Sequence, residues 1–408
     1  MLDKLTFIFF HGFNKMQYEN SVFLIHVDAI EISYREPWTR HHSGGTGTGF
    51  CITIGPEKYI LTCAHVVENA RRIEFIGTEH EAKVLFSSAV LDLAILNCPI
   101  KGAQALHLGE VKREDDIDIV GFPLGYRNIS LAHGHVNRLV QLNKNNVHSL
   151  VYQTDISATP GNSGSPILNR HGEYVGVFHM VMKQHRNFQM FIPFFSIKYF
   201  LNCFLGGIMD FSMPTFKWQI IDKYMSWKGQ LLITHKPADV EERLVVNTIE
   251  GIRIYQDGMI KLKDFLKYHG WSHSGEELIS FHYLVSFINK STILMGDKEF
   301  PLTKKCIEPG PPRYIIHGDF MFIPADYGLE HEIGMKFART AADEPFAYIA
   351  YCDVHAYVGH LLDVSYDSLA GLLKDSSDQP IRIPLRNSHW FIQLNPEKGR
   401  SRLHKFFT

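Results

Sequence analysis

Three residue types that together can perform acyl transfer occur here in a fixed order: His65 in Leu61-Thr-Cys-Ala-His-Val-Val67, Asp92 in Leu91-Asp-Leu-Ala-Ile95, and Ser163 in Pro160-Gly-Asn-Ser-Gly-Ser-Pro166. A serine hydroxyl attacks a carbonyl only when an imidazole takes its proton, and a carboxylate must orient that imidazole. Ser163 lies between Gly161 and Gly164, and flanking glycines let backbone N–H groups turn toward one point. A developing oxyanion needs such a point. Taken singly, each feature is ordinary: histidines after apolar strands are commonly structural, and Gly-Asn-Ser-Gly is a turn motif. The three together, in order and within about 100 residues, form a candidate constellation.

The elements that must position them are short. From Ser21 to about Cys98 the pattern is β-type runs between turns: Phe23–Val27, Gly49–Ile54, Tyr59–Cys63, Arg72–Ile76, Ala82–Phe86 and Leu91–Leu96. Glu36 to Thr46 reads as a loop, and Gly55-Pro56 as a hairpin turn. A second half repeats the style with Ile117–Gly125, Ala132–Val136, Val147–Gln153, Pro166–Leu168, Tyr174–Phe178 and Asn187–Ile192, and Ile197–Leu205 reads as a closing helix. Many short strands in two similar halves predict an all-β domain of two barrels. The order His…Asp…Ser is that of chymotrypsin-type double barrels. In such a fold His65 and Asp92 would meet Ser163 across the interface between the barrels.

A chain of 408 residues exceeds one ordinary core. The predicted division is an N-terminal aromatic segment (1–20), the two-barrel domain (21–210), and two α+β modules (211–305 and 306–408). In the first module Ile279–Val285 reads as a strand. The last module holds Phe320, Phe322 and Tyr327, either as core aromatics or as an oligomer contact.

Composition excludes several classes. A formal net charge of −2 argues against nucleic acid as the main partner. The apolar run Leu5–Phe13 is interrupted by His11 and is too short to span a bilayer; it reads as a packing segment or subunit contact rather than a signal. The six cysteines, at 51, 63, 98, 203, 306 and 352, show neither disulfide nor metal spacing, which fits a reducing compartment. A cytoplasmic or nuclear setting is therefore expected. The pairs His41-His42 and His133-x-His135 lack neighbouring carboxylates or cysteines in sequence, and no metal is expected. No GxxxxGK[ST] loop is present, so neither a nucleotide nor any other cofactor is expected.

Thr48-Gly-Phe-Cys-Ile, Tyr59-Ile-Leu-Thr-Cys-Ala-His-Val-Val67, Leu91-Asp-Leu-Ala-Ile95, Gly121-Phe-Pro-Leu-Gly125 and Thr154-Asp…Pro160-Gly-Asn-Ser-Gly-Ser-Pro166 resemble the HtrA/Do-like (Deg) serine proteases over roughly residues 45–195. Gly275–Val285 and Pro311–Phe322 resemble parts of the two PDZ-like modules of plant-type Do-like proteases. The resemblance implies a chymotrypsin-like double β-barrel followed by two α+β PDZ-like domains. It implies His65 as general base, Asp92 as its orienter and Ser163 as nucleophile. The N–H groups of Gly161 and Ser163, with Asn162 between them, would form the oxyanion hole. It implies an ATP-independent endopeptidase acting on unfolded or specific proteins, assembled as trimers or stacked trimers. The alternative is a catalytically silent peptide-binding scaffold or chaperone. Two positions depart from the family: Ser165 replaces a usual glycine, and Cys63 a usual Asn or Ala.

Six residues before Ser163, where trypsin-like proteases that cut after Lys or Arg carry an aspartate, stands Ser157. With Phe178 and Phe188 as apolar walls, the pocket is expected to take small or medium aliphatic residues. His179 lies three residues after Gly176, one too many for the pocket histidine of glutamine-selective viral proteases. No carboxylate-capturing loop is evident near Met225–Gly229, so peptide capture by the first module is not expected.

Overall fold

Apolar residues alternating along short runs, separated by turn residues, build antiparallel sheets. The computed structural model describes residues 18–31, 33–39, 41–144, 147–181, 189–206, 213–216, 231–233, 244–255, 258–271, 276–286, 290, 292–305, 313–317, 320–335, 337, 344–352, 358–375, 381–387, 391–394 and 402–405. The N-terminal packing segment, Phe188 and Met225–Gly229 lie outside these residues. The chain divides into two compact units, Met1–Ala29 with Gly44–Lys305, and Ile30–Ser43 with Cys306–Thr408.

Among the described residues, β1 (Val22–Glu31), β2 (His41–Ile54), β3 (Glu57–Thr62), β4 (Ala70–Phe75), β5 (Glu81–Ala82), β6 (Val84–Ser88) and β7 (Leu93–Asn97) form a seven-stranded sheet in the order β5-β4-β1-β2-β3-β7-β6. Successive side chains of a strand leave opposite faces, and here both faces are covered. Phe50, Ile52, Leu61, Leu93 and Ile95 enter one apolar cluster, whereas Cys51, Ile60, Ala94 and Leu96 enter another.

The second half, β8 (Asp116–Gly121), β9 (Ser130–Lys144), β10 (Val147–Thr154), β11 (Pro166–Asn169), β12 (Tyr174–Val181) and β13 (Gln189–Pro193), closes into a six-stranded barrel in the order β10-β13-β12-β11-β8-β9. Helix α1 (Phe194–Leu205) follows, with Phe194, Phe195, Ile197 and Phe200 buried.

The remainder of this unit carries a sheet of Met213–Phe216, Lys298–Lys305, Thr292–Met295, Thr248–Ile249 and Ile252–Arg253, with helices Leu262–Tyr268 and Phe281–Ser286. The predicted strand at 279–285 is therefore only Leu278–Ser280. Phe281 and Leu284, three apart, are buried on one helical face. The predicted loop at 36–46 also gives way from His41 onward, where β2 begins as an exposed glycine-bearing strand.

In the second unit Leu361–Ser365, Phe346–Cys352, Phe320–Pro324, Arg313–His317 and Arg402–Lys405 form a sheet in that order, with helices Tyr327–Ile333 and Tyr366–Asp375. Phe322, Ile349, Leu362 and Leu369 are its core, and Phe320 stacks on Phe322 with centroids 5.7 Å apart. The segment between β1 and β2 is part of this unit: Ser33 Oγ and the Tyr34 N–H donate to the Glu332 carboxylate at 2.8 and 2.5 Å. Trp38 packs edge-on against Tyr314.

Candidate active site

His65 occupies a single 3₁₀ turn, Ala64–Val66, at the end of β3. Asp92 precedes β7 with φ 52, a left-handed conformation that aspartate tolerates better than most residues. Its carboxylate makes three contacts. Oδ1 accepts the His65 backbone N–H at 2.8 Å, and Oδ2 lies 2.7 Å from His65 Nδ1 and 2.6 Å from His179 Nδ1. Burial by itself would raise the Asp92 carboxyl, but hydrogen bonds and charge from His179 and His65 outweigh it and hold the group well below the usual carboxylate range. Burial likewise acts against a charged His65, yet the bonded Asp92 carboxylate, aided by Glu68, leaves it above its ordinary value.

His179 is the partner that sequence reasoning missed. The β12–β13 register shifts between Phe178 and Met180, and a bulge at that point re-aims the extra residue. His179 is thereby bonded to Asp92. No sequence signal beyond its odd offset from Gly176 marks this.

The Ser163 loop is held from several sides. The Thr48 N–H donates to Ser163 O at 2.8 Å, and Thr48 Oγ1 donates to Gly161 O at 2.9 Å. The Leu124 N–H donates to Pro160 O at 2.6 Å, so the Gly121–Gly125 motif braces the loop from behind. The Gln189 amide clasps the Ala158 backbone at 3.0 and 3.2 Å. The Asn162 N–H is taken by Thr159 O at 3.1 Å, whereas those of Gly161 and Ser163 donate to no carbonyl among the described residues. Asn162 is buried and Ser163 half-buried.

Gly164 has φ 86, and a Cβ there would overlap Thr48 O and Thr62 Oγ1 and lie 3.2 Å from Cys63 N. Its N–H donates to Phe178 O at 2.9 Å. Gly164→Ala is expected to destabilise the fold by about 2–4 kcal/mol, from left-handed strain plus overpacking. Gly55→Ala, at a similar φ in open space, costs roughly 1 kcal/mol. Denaturant unfolding of the two variants checks the difference.

The two family departures find places. Ser165 is fully buried against Gly121, its N–H bonded to Asn162 O at 2.9 Å and its carbonyl to the Phe178 N–H at 2.8 Å. The Cys63 thiol is pushed well up by burial and the Asp92 charge, and it donates to Phe178 O at 3.2 Å. Cys51, Cys63 and Cys98 are in no disulfide. Of the pocket residues, Ser157 is exposed and Phe178 has its ring in the core.

A family profile described as "Trypsin-like peptidase domain" matches residues 47–177. "Protease Do-like 2, chloroplastic" of Arabidopsis thaliana is 27% identical over 373 residues, covering 79% of this chain and 59% of its own. "Putative protease Do-like 3, mitochondrial" of the same plant is 27% identical over 348 residues, covering 75% and 60%. The chain thus spans about three fifths of the length of these relatives. A solved structure of a variant of the HtrA-type protease AlgW with a decapeptide aligns with TM-score 0.50 at 15% identity, covering 72% of this chain and 97% of that one, a likeness of fold. Among the described residues no helix is long and apolar enough to cross a membrane.

The relatives' names overturn one expectation. They are organellar proteins, not cytoplasmic or nuclear ones. Free, unpatterned cysteines separate reducing from oxidising surroundings, and that distinction does not tell cytosol from the interior of an organelle.

Proposed function

The chain belongs to the HtrA/Do-like family, and on that premise we propose that it is an ATP-independent serine endopeptidase of unfolded or specific protein substrates. What supports this most is His65, whose Nδ1 lies 2.7 Å from the Asp92 carboxylate, on the same double-sheet domain as a loop in which the Gly161 and Ser163 N–H groups donate to no carbonyl among the described residues.

Ser163 Oγ attacks the scissile carbonyl carbon while its proton passes to His65 Nε2. Asp92 stabilises the imidazolium and fixes its tautomer. The tetrahedral oxyanion accepts hydrogen bonds from the Gly161 and Ser163 N–H groups, which Asn162 spaces. Collapse breaks the C–N bond, His65 returns the proton to the leaving amine, and water then attacks the acyl-enzyme by the same route. Hydrolysis of a peptide needs no nucleotide.

Ser157, exposed beside the Ser163 loop, puts no charge where a basic side chain would seek one, which favours small or medium aliphatic residues at the cleaved position; Phe178, its ring in the core, is not a wall of that pocket. Residues 211–305 and 306–408 are read as PDZ-like modules, on the strength of their sheet-and-helix composition, and the working form as a homo-oligomer.

A fluorophosphonate tests this directly. Ser163 Oγ is expected to displace fluoride, giving one phosphonylated serine by mass spectrometry, and the same protein is expected to cut casein. His65 must be neutral to accept the proton. Because it lies above its ordinary value, the labelling rate is expected to fall with acidification at a midpoint above about 6.5. A protein that neither labels at Ser163 nor cuts casein is the silent scaffold instead.

A further inference from the structure

Away from the Ser163 loop, the closed barrel carries a second cluster on its outer face. His133 and His135 are two apart on β9, so both side chains leave the same face. Their cross-strand partners on β8 are Asp118 and Asp116. Asp155, just beyond β10, reaches His135 from the other side, where its Oδ1 accepts the His135 backbone N–H at 2.6 Å. His133 Nδ1 lies 2.9 Å from Asp118 Oδ1, and His135 Nδ1 lies 3.2 Å from Asp155 Oδ2. The Nε2 atoms of both rings face one oxygen, Asp116 Oδ1, at 3.8 and 3.2 Å.

A neutral imidazole that gives its Nδ1–H to a carboxylate presents a lone pair at Nε2. Two such lone pairs and a carboxylate oxygen converging on one point repel each other unless a cation sits between them. Metal–ligand bonds of about 2.0–2.1 Å at tetrahedral angles put ligand atoms roughly 3.4 Å apart, close to the two spacings seen here. Outer carboxylates that hold the remote nitrogen of each histidine are the usual support of such a site. Asp118 supplies one from a nearly buried position, with 9% of its side chain exposed.

We propose that His133 Nε2, His135 Nε2 and Asp116 Oδ1 bind a divalent transition-metal ion of the zinc class, with Asp118 and Asp155 orienting the two imidazoles. The ligand set suits zinc and its neighbours rather than magnesium or calcium, because imidazole donors dominate it. All three ligands are exposed, so a fourth position is open to water. Asp155 begins the segment leading to Ser163, so an ion here also ties the start of that segment to β9. The site stands whether or not the protease reading holds. In sequence the pair seemed to lack acidic partners because these arrive from neighbouring strands.

The test uses the full chain, purified without a histidine tag and stripped with a chelator. Calorimetric titration with ZnCl2 is expected to show one ion bound per chain, and Zn2+ to raise the Tm. His135→Ala is expected to weaken binding at least about 100-fold and to abolish the Tm rise. Asp118→Asn, which leaves the ligands in place, is expected to weaken it roughly 10–100-fold. Co2+ is expected to give the visible bands of a tetrahedral nitrogen-and-oxygen site with no thiolate-to-metal charge transfer. If His135→Ala proves unstable without metal, Asp116→Asn, also on the exposed face, serves in its place. The proposal is overturned if the wild type binds no Zn2+, the cluster then holding protons only. It is equally overturned if the His133→Ala/His135→Ala variant binds with wild-type affinity. A thiolate band in the Co2+ spectrum would place the ion instead among Cys63, His65, Asp92 and His179.

Discussion

Ser163→Ala is expected to lower kcat for casein cleavage by about 10⁶-fold, because the proposed nucleophile, base and orienter would act as one unit. Ser163 is half-buried, and its backbone carbonyl accepts the Thr48 N–H. Losing the hydroxyl therefore leaves the loop braced, and stability is expected to stay within about 0.5 kcal/mol of wild type. A residual rate above that in water is expected to remain, since the N–H groups of Gly161 and Ser163 persist. Adding His65→Ala to the Ser163→Ala variant is expected to change little more, because a base without a nucleophile has no proton to take. Initial rates on casein and melting curves check both statements. Equal rates for wild type and Ser163→Ala would leave no place for the triad, and a large further loss on adding His65→Ala would mean that the two residues act separately.

What the sequence made legible was local or ordered along the chain. Strands such as Gly49–Ile54 and Tyr59–Cys63 declare themselves by apolar runs and turn residues, and the seven-stranded sheet and closed barrel use almost all of those found. His65, Asp92 and Ser163 stand out as candidates because their types, their order and the glycines beside Ser163 are themselves sequence facts. What escaped depends on pairing between distant strands. His179 meets Asp92 only because β12 slips register against β13. Thr48 and Gln189, which hold the two legs of the Ser163 loop, are distant from it in sequence and carry no chemistry of their own. Asp116, Asp118 and Asp155 come beside His133 and His135 through the β8–β9–β10 ladder. The run at 279–285 satisfies either period, and only the packing of Phe281 and Leu284 makes Phe281–Ser286 a helix rather than the strand its sequence predicts.

Asp92→Asn is expected to reduce kcat by about 10⁴-fold, and the contacts on both sides of the carboxylate explain why no rotation of the amide rescues it. The carboxylate accepts on both sides: Oδ1 from the His65 N–H at 2.8 Å, and Oδ2 from the imidazoles of His65 and His179 at 2.7 and 2.6 Å. Asparagine offers one acceptor and one donor. With its oxygen kept on the His65 N–H, its NH2 faces two Nδ1 atoms, both of which must then be unprotonated. The proton of His65 moves to Nε2, where the Ser163 proton would have to go. With the amide reversed, its NH2 confronts the His65 N–H, and that part-buried donor loses its acceptor. A pH profile separates this account from simple loss of structure. In the wild type the Asp92 carboxylate overcomes the effect of burial and lifts His65 above its ordinary value. Without that negative charge, burial is left to act against the charged imidazole. The acid limb of the residual activity is expected to move to lower pH than in the wild type, and a limb that stays in place would show that Asp92 does not set the charge state of His65.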